Sequence, residues 1–343
     1  MRKARSLAAW LIVTLVAGAA PAVRAQSATE FYSQKTLRLI VPYAPGGSYD
    51  LYARLVADHL SKYIPGRPTL VIMHVPGAGG AIAAQTLYSK EPQDGTSLAI
   101  MPRDIASNQM LRPEVAKYDA RRFSWIGSVS AYAGVMYVFA RSGVKTLDDF
   151  RRLPLVIGSW GQTTESFITP TLLNGLAGTR LKIVTGYRGG PEVDLAAERG
   201  EVDGRVASWG YLKGQRPQWL KSGVVVTPFQ TGLKRHPELL NTPLITELAI
   251  TAEGRSVLEF MNADSGLGWS LASTQHVPAE RLAALRSAFD KMIVDPALIE
   301  DARQRELDII PSSGAELDAL VARTLATPAA ALARLKSLIG EYN

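Results

Sequence analysis

The sequence predicts an α/β protein built from two doubly wound lobes, and three observations lead there. Short apolar strands alternate with helical runs along most of the chain. At 343 residues the chain exceeds what one hydrophobic core usually serves. Two glycine-rich turns each join a strand to a helix, and Gly46 of the first lies 33 residues before Gly79 of the second.

The first 25 residues read as an export signal. Arg2, Lys3 and Arg5 form a positive start, residues 7–20 are apolar or weakly polar, and Val23-Arg24-Ala25 supplies small residues for cleavage. The apolar stretch is shorter than the roughly 20 residues of a membrane span. An uncleaved anchor is the alternative. There is no cysteine, which excludes a disulfide framework, a thiol nucleophile and a lipid-modified cysteine. The mature chain is therefore expected to be free in the periplasm. Lys and Arg outnumber Asp and Glu by 38 to 31, but removing Arg2, Lys3, Arg5 and Arg24 lowers the net charge from +7 to +3. With no basic run interleaved with aromatics, nucleic acid is not expected as a partner.

Thr36–Val41 is the first strand. Pro42-Tyr43-Ala44-Pro45-Gly46-Gly47-Ser48-Tyr49-Asp50 and a helix to about residue 63 follow it. Residues 70–73 form the next strand, leading through Pro76-Gly77-Ala78-Gly79-Gly80 into a helix ending near Ser89. Strands are also expected at 97–101, 125–129 and 135–140, with Thr146 capping a short helix. The pattern then repeats. Strand 155–159 turns at Trp160-Gly161-Gln162-Thr163 into the helix Glu165–Leu176, which Pro170 should bend or shorten. Strand 181–185 turns at residues 186–191 into a helix stopped by Gly200. Segments 202–208 and 224–227 complete a second, parallel sheet. One more strand is read at 267–272, and helices opening at Pro278, Pro296, Ser313 and Pro328 cap a lobe.

A strand feeding a helix through a glycine turn leaves backbone N–H groups unpaired, and the helix dipole adds partial positive charge there. Two such turns at one end of one sheet suit a small carboxylate. Plain turn chemistry is the competing account of Gly46, Gly47, Gly79 and Gly80. A dinucleotide fingerprint fails on spacing and a phosphate-binding P-loop is absent. The histidines (His59, His74, His236, His276) lack metal-ligand spacing, and no serine sits in a nucleophile elbow. No catalytic residue, metal or cofactor is expected. Tyr43, Tyr49, Tyr187 and Trp209 are candidates for an apolar pocket wall. Arg188 is a candidate partner for a second carboxylate, and Asp203 or Arg205 a candidate for tuning charge nearby. A valine at Gly47 is expected to block the first turn sterically.

Pro42-x-x-Pro45-Gly46-Gly47-x-x-Asp50, then Pro76-Gly77-Ala78-Gly79-Gly80, then Asp94-Gly95-Thr96 closely resembles the Bug-type periplasmic receptors of tripartite tricarboxylate transporters. Tyr187-Arg188-Gly189-Gly190, residues 200–203, 243–247 and 278–281 resemble later landmarks of that family. The resemblance implies a two-lobed periplasmic-binding-protein fold of type II, with two doubly wound sheets and a hinge, closing on an organic acid. It implies ligand contacts at Tyr43, Gly46, Gly47, Ser48, Gly79, Gly80 and Ala81. From the second lobe it implies Ser159, Gln162, Thr163 and residues near Ser208. Asp50 matches the family's aspartate and reads as support for the first turn. The sequence departs from the family at His74-Val75, Ala83, Trp160 and residues 204–209, where the distal end of a ligand would lie.

The expected organisation is a signal peptide at 1–25, a first lobe from 27–130 and 228–343, and a second lobe from 131–227. The expected function is a monomeric extracytoplasmic receptor delivering a small carboxylate to integral-membrane transporter subunits. A receptor presenting its ligand to a sensor kinase is one alternative, and an α/β cleft enzyme is another. Tyr43, Trp160 and Trp209 favour an aromatic acid or a longer diacid.

Overall fold

A computed structural model describes residues 27–339 apart from 163, 233 and 328. The signal-peptide reading and Thr163 lie outside the described residues.

Eleven strands form two sheets among the described residues: β1 Thr36–Val41, β2 Thr69–His74, β3 Ser97–Ile100, β4 Ser124–Ser128, β5 Gly134–Phe139, β6 Pro154–Gly158, β7 Arg180–Val184, β8 Gly204–Ser208, β9 Val225–Thr231, β10 Ser270–Ser273 and β11 Ser312–Ser313. The first sheet has the order β11-β4-β10-β3-β1-β2 and the second β7-β6-β8-β5-β9. The chain passes to the second sheet between Ser128 and Gly134 and returns between Thr231 and Ser270. Trp269 N donates to Ser130 O at 3.0 Å, so the two crossing segments lie against each other.

Burial explains why β1 forms where it does. Leu37, Leu39 and Val41 pack under the helices Ser48–Leu60 and Ala279–Met292, while Ile40 packs on the opposite face with Ala84 and Ala99. A strand covered on both faces needs this near-continuous apolar run. Gly127 in β4 makes room for one of those helices, since a Cβ there would lie 2.3 Å from Phe289. In the second sheet Met136 and Val138 face Phe150 and Phe229, whereas Val135 and Tyr137 face Val193 and Leu212.

Three readings of the sequence change. The second sheet is mixed, because β5 runs antiparallel to both β8 and β9 while only β6, β7 and β8 are parallel. Strand direction depends on the path by which the chain returns, which a strand's own composition does not encode. Helix Glu165–Leu176 continues through Pro170 over its full expected length. Helices Ile105–Leu111, Trp209–Gln215, Pro217–Lys221 and Ala252–Ala263 were not expected.

Candidate functional site

β1 and β2 pair in parallel with Val41 opposite His74, so the two glycine turns emerge side by side at one sheet end. They then play different parts. The first turn lines a cleft between the sheets through Tyr43, Ala44, Pro45, Gly47 and Ser48. Gly46 holds φ +88°, the left-handed region that glycine tolerates. Its N–H is already taken, donating to Asp50 Oδ2 at 3.0 Å. Asp50 also accepts from Arg54 Nε at 3.0 Å and lies 2.8 Å from His74 Nε2. Burial works against its charge, but the Gly46 N–H, Arg54 and His74 hold its carboxyl below the ordinary range. Asp50 thus fixes the first turn, and His74 serves that fixing from β2.

The second turn stands behind the first. Gly77, Ala78, Gly79 and Gly80 all have positive φ. A Cβ on Gly80 would meet Pro102 at 2.6 Å and Pro42 at 3.3 Å. Tyr43 OH donates to Gly79 O at 3.0 Å, so the second turn positions the tyrosine that faces the cleft. Gly79, Gly80 and Ala81 are not on the cleft wall. Gly47, by contrast, has extended backbone and nothing within 4 Å of a Cβ, so a side chain there enters the cleft without straining the turn.

Aromatic rings form the floor on this side. Tyr49 lies between Tyr43 and Trp269, with ring centroids 4.6 and 4.7 Å away, and Trp269 stacks on Tyr52 at 4.6 Å. Burial pushes the Tyr49 hydroxyl up to about 12 and raises that of Tyr43 well above its ordinary value, so both remain protonated donors.

The opposite wall belongs to the second sheet. Trp160, Thr164 and Glu165 follow β6, Arg188 to Pro191 follow β7, and Arg205 to Ser208 lie on β8. Arg205 is 3% exposed. Its Nε donates to Asp194 at 2.6 Å and its Nη1 to Val206 O at 3.0 Å. Asp194 also accepts from Tyr137 OH at 2.6 Å and Tyr211 OH at 2.8 Å. Burial opposes that carboxylate's charge, but Arg205 and the two hydroxyls outweigh it and hold the group below its ordinary range.

Two contacts join the walls. Ser48 Oγ and Ser208 Oγ are 2.9 Å apart, and Arg103 pairs with Glu165 while its guanidinium lies 3.5 Å from the Tyr132 ring centroid. The cleft measures about 850 Å³ including its open mouth. Behind the Arg103–Glu165 pair lie Asp104 and Asp264. Burial, partly offset by Arg103, pushes Asp104 up to about 6. Burial and the Asp104 charge, opposed by Ser107 and Arg103, push Asp264 up to about 8.

Of the residues singled out from the sequence, Tyr43, Gly47, Ser48, Tyr49, Trp160, Arg188, Arg205 and Ser208 meet on the cleft wall, whereas Tyr187, Trp209 and Asp203 do not line it. Gly46 sits beside it, tied to Asp50. Ser159 is fully buried, with its Oγ 2.8 Å from Ser166 Oγ, and Gln162 is exposed. Neither lines the cleft. Sequence reasoning missed Arg103, Asp104, Tyr132, Thr164, Glu165 and Trp269. A usable signal existed for Arg103, Asp104 and Thr164: they follow β3 and β6 at their carboxyl ends, where α/β sheets place ligands.

A UPF0065 protein from the tcbD-tcbE intergenic region of Pseudomonas sp. (strain P51) is 28% identical to this chain. The match runs over 289 residues, 82% of this chain and 80% of that protein. BugT of Bordetella pertussis is 35% identical over 100 residues, 29% of this chain and 28% of that protein. The periplasmic binding protein BugD has TM-score 0.69 at 18% identity, over 90% of this chain and 98% of its own. The chain is similar to Bug-type periplasmic binding proteins. A protein of R. palustris solved with adipate also has TM-score 0.69, at 19% identity over 89% of this chain and 97% of its own. At these identities the structural matches establish the fold, two-lobed and mixed α/β. No protein-family model matches the chain.

Proposed function

We propose that this protein is a periplasmic receptor that binds a small organic acid between its two sheets and delivers it to a membrane transporter. One observation carries the reading: a cleft of about 850 Å³ at the carboxyl ends of β1, β3, β6 and β8, walled by the first glycine turn, aromatic rings and buried arginine. Such a site offers hydrogen-bond donors in a mostly apolar enclosure, which suits a carboxylate on a short organic frame. The adipate in the R. palustris protein of the same fold supports an acid ligand. The similar structures are receptors rather than enzymes, which supports binding without turnover. The second lobe is taken as 131–227 extended by the rest of β9 and by the helices Ala252–Ala263 and Ala329–Ile339, whose Val257, Leu258 and Leu335 share its core, and the first lobe as 27–130 with the remainder of 228–343; residues 1–25 are the export signal. The ligand closes the lobes because it binds the closed arrangement better than the open one.

The test is a thermal-shift screen of the purified protein against mono-, di- and tricarboxylates, aromatic acids and acidic amino acids. A ligand at 100 times its Kd adds about 2.7 kcal/mol, a shift of a few degrees. A shift with one class of acid supports the receptor reading. No shift with any acid, in folded and ligand-free protein, rejects it.

A further inference from the structure

A second cavity lies behind the Arg103–Glu165 pair, and the receptor reading gives it no role. It measures about 570 Å³ including its mouth. Helix Ile105–Leu111, which follows β3, borders it on one side and helix Glu165–Leu176, which follows β6, on another. Helix Ala252–Ala263 runs past it into Asp264. Two chemistries line it. Ile168 and Leu172, one turn apart on one helix, and Leu258 and Met261, one turn apart on another, supply apolar surface. Asp104 and Asp264 supply carboxyl groups.

These carboxyl groups are left incomplete. Asp264 is 4% exposed; its Oδ2 accepts from Ser107 Oγ, and its Oδ1 is buried with no hydrogen-bond partner among the described residues. Asp104 Oδ1 is buried and unpartnered in the same way. A buried acceptor without a donor is costly, and two of them on one cavity point to a donor from outside the chain. Arg103 is not that donor, because it is committed to Glu165 and to the Tyr132 ring. Burial and the Asp104 charge, against Ser107 and Arg103, leave Asp264 holding a proton at neutral pH. Burial also raises Asp104, but Arg103, Asn108 and Arg112 oppose it, so Asp104 is the more ionised of the two.

The donor set narrows the occupant. Among the described residues no group of three or more His, Cys, Asp or Glu is placed to hold a metal ion. A primary ammonium carries three donors and no acceptor, which suits two unpaired carboxyl oxygens. Its carbon stem suits the apolar surface beside them.

We propose that this cavity binds a small primary alkylammonium ion, whose N–H groups donate to Asp104 Oδ1 and Asp264 Oδ1 and whose alkyl group lies against Ile168, Leu172, Leu258 and Met261. The ion replaces the proton on Asp264, which passes to the buffer. The site is separate from the acid cleft and stands or falls independently of the receptor reading.

The experiment is calorimetric titration of the purified protein at neutral pH with the chlorides of methylammonium, propylammonium, tetramethylammonium and potassium. Wild-type protein is expected to bind at least one primary ammonium saturably, and about 10-fold or more tightly than tetramethylammonium, which has the charge but no N–H donor. Repeating the titration in buffers of different protonation enthalpy should show a proton released as the ammonium enters. Asp264→Asn keeps the shape of the side chain and an acceptor for Ser107 but cannot ionise. It should weaken binding about 10-fold or more and abolish the proton release. Asp104→Asn should weaken binding in the same way, which keeps the test decisive if the first variant does not fold. No saturable binding by folded wild-type protein overturns the site and leaves the two acids sharing a proton. Equal binding by wild-type protein and both variants overturns it by placing the amine elsewhere. Potassium binding as tightly as the best ammonium overturns it in favour of a metal ion.

Discussion

The two walls of the cleft are built by different means. On the first sheet, a turn presents backbone and hydroxyl groups, and its charged residue, Asp50, is spent inward on holding the turn. On the second sheet, a buried side chain faces the cleft and a second buried charge, Asp194, holds it. Glycine turns position donors through local backbone geometry. A buried arginine is positioned only through long-range packing, and it brings a charge that backbone N–H groups lack. The first wall therefore presents uncharged donors to the cleft, while the second presents a guanidinium.

The sharpest way to break that comparison is at Asp194. Asp194→Ala strips Arg205 and two tyrosine hydroxyls of their partner in a buried site, and should cost about 3–5 kcal/mol. Urea denaturation of the variant measures this, and a loss below about 1 kcal/mol would show that the second wall does not depend on the pair.

The two glycine turns give the next test. Gly80→Ala forces a left-handed residue against Pro102 and should destabilise by about 2–4 kcal/mol. Gly47→Ala meets open space, so its effect on stability should stay within about 0.5 kcal/mol while ligand affinity falls. The reverse pattern would mean that the turns have exchanged roles.

The smallest effect concerns the acids behind the joined walls. Asp264 ionises near 3.8 when unfolded but is pushed up to about 8 in the folded chain by burial and the Asp104 charge, against Ser107 and Arg103. The folded state then holds a proton that the unfolded state releases. Its stabilising contribution is complete below the unfolded value and is lost as pH rises toward the folded one. Stability should fall by about 1 kcal/mol per pH unit between about pH 5 and 7. In Asp264→Asn this slope should flatten. An unchanged slope in denaturation curves across that range would place the titrating group elsewhere.

The strands and their turns were legible because they are local. A run such as Thr36–Val41 is apolar enough for burial on both faces, and a positive φ at Gly46 selects glycine whatever surrounds it. Thr146 announced its helix with a capping box, and Gly200 ended another in the left-handed conformation. β11 was not legible, because two serines carry no strand signal and pair only where β4 offers its edge. The antiparallel setting of β5 was equally hidden.

By itself, then, the sequence determined the alternation of elements, the two-sheet division and the first turn as a feature that lines the cleft. Each rests on periodicity or backbone sterics acting within a few residues. Only the tertiary structure decided that Gly80 serves Tyr43 and the prolines, and that Ser48 meets Ser208 across 160 positions of chain. It alone decided that Asp194 on a helix and Arg205 on a strand become one buried pair. Those outcomes come from helices and strands packing over long separations, where a charged residue's role depends on the partner that folding brings to it.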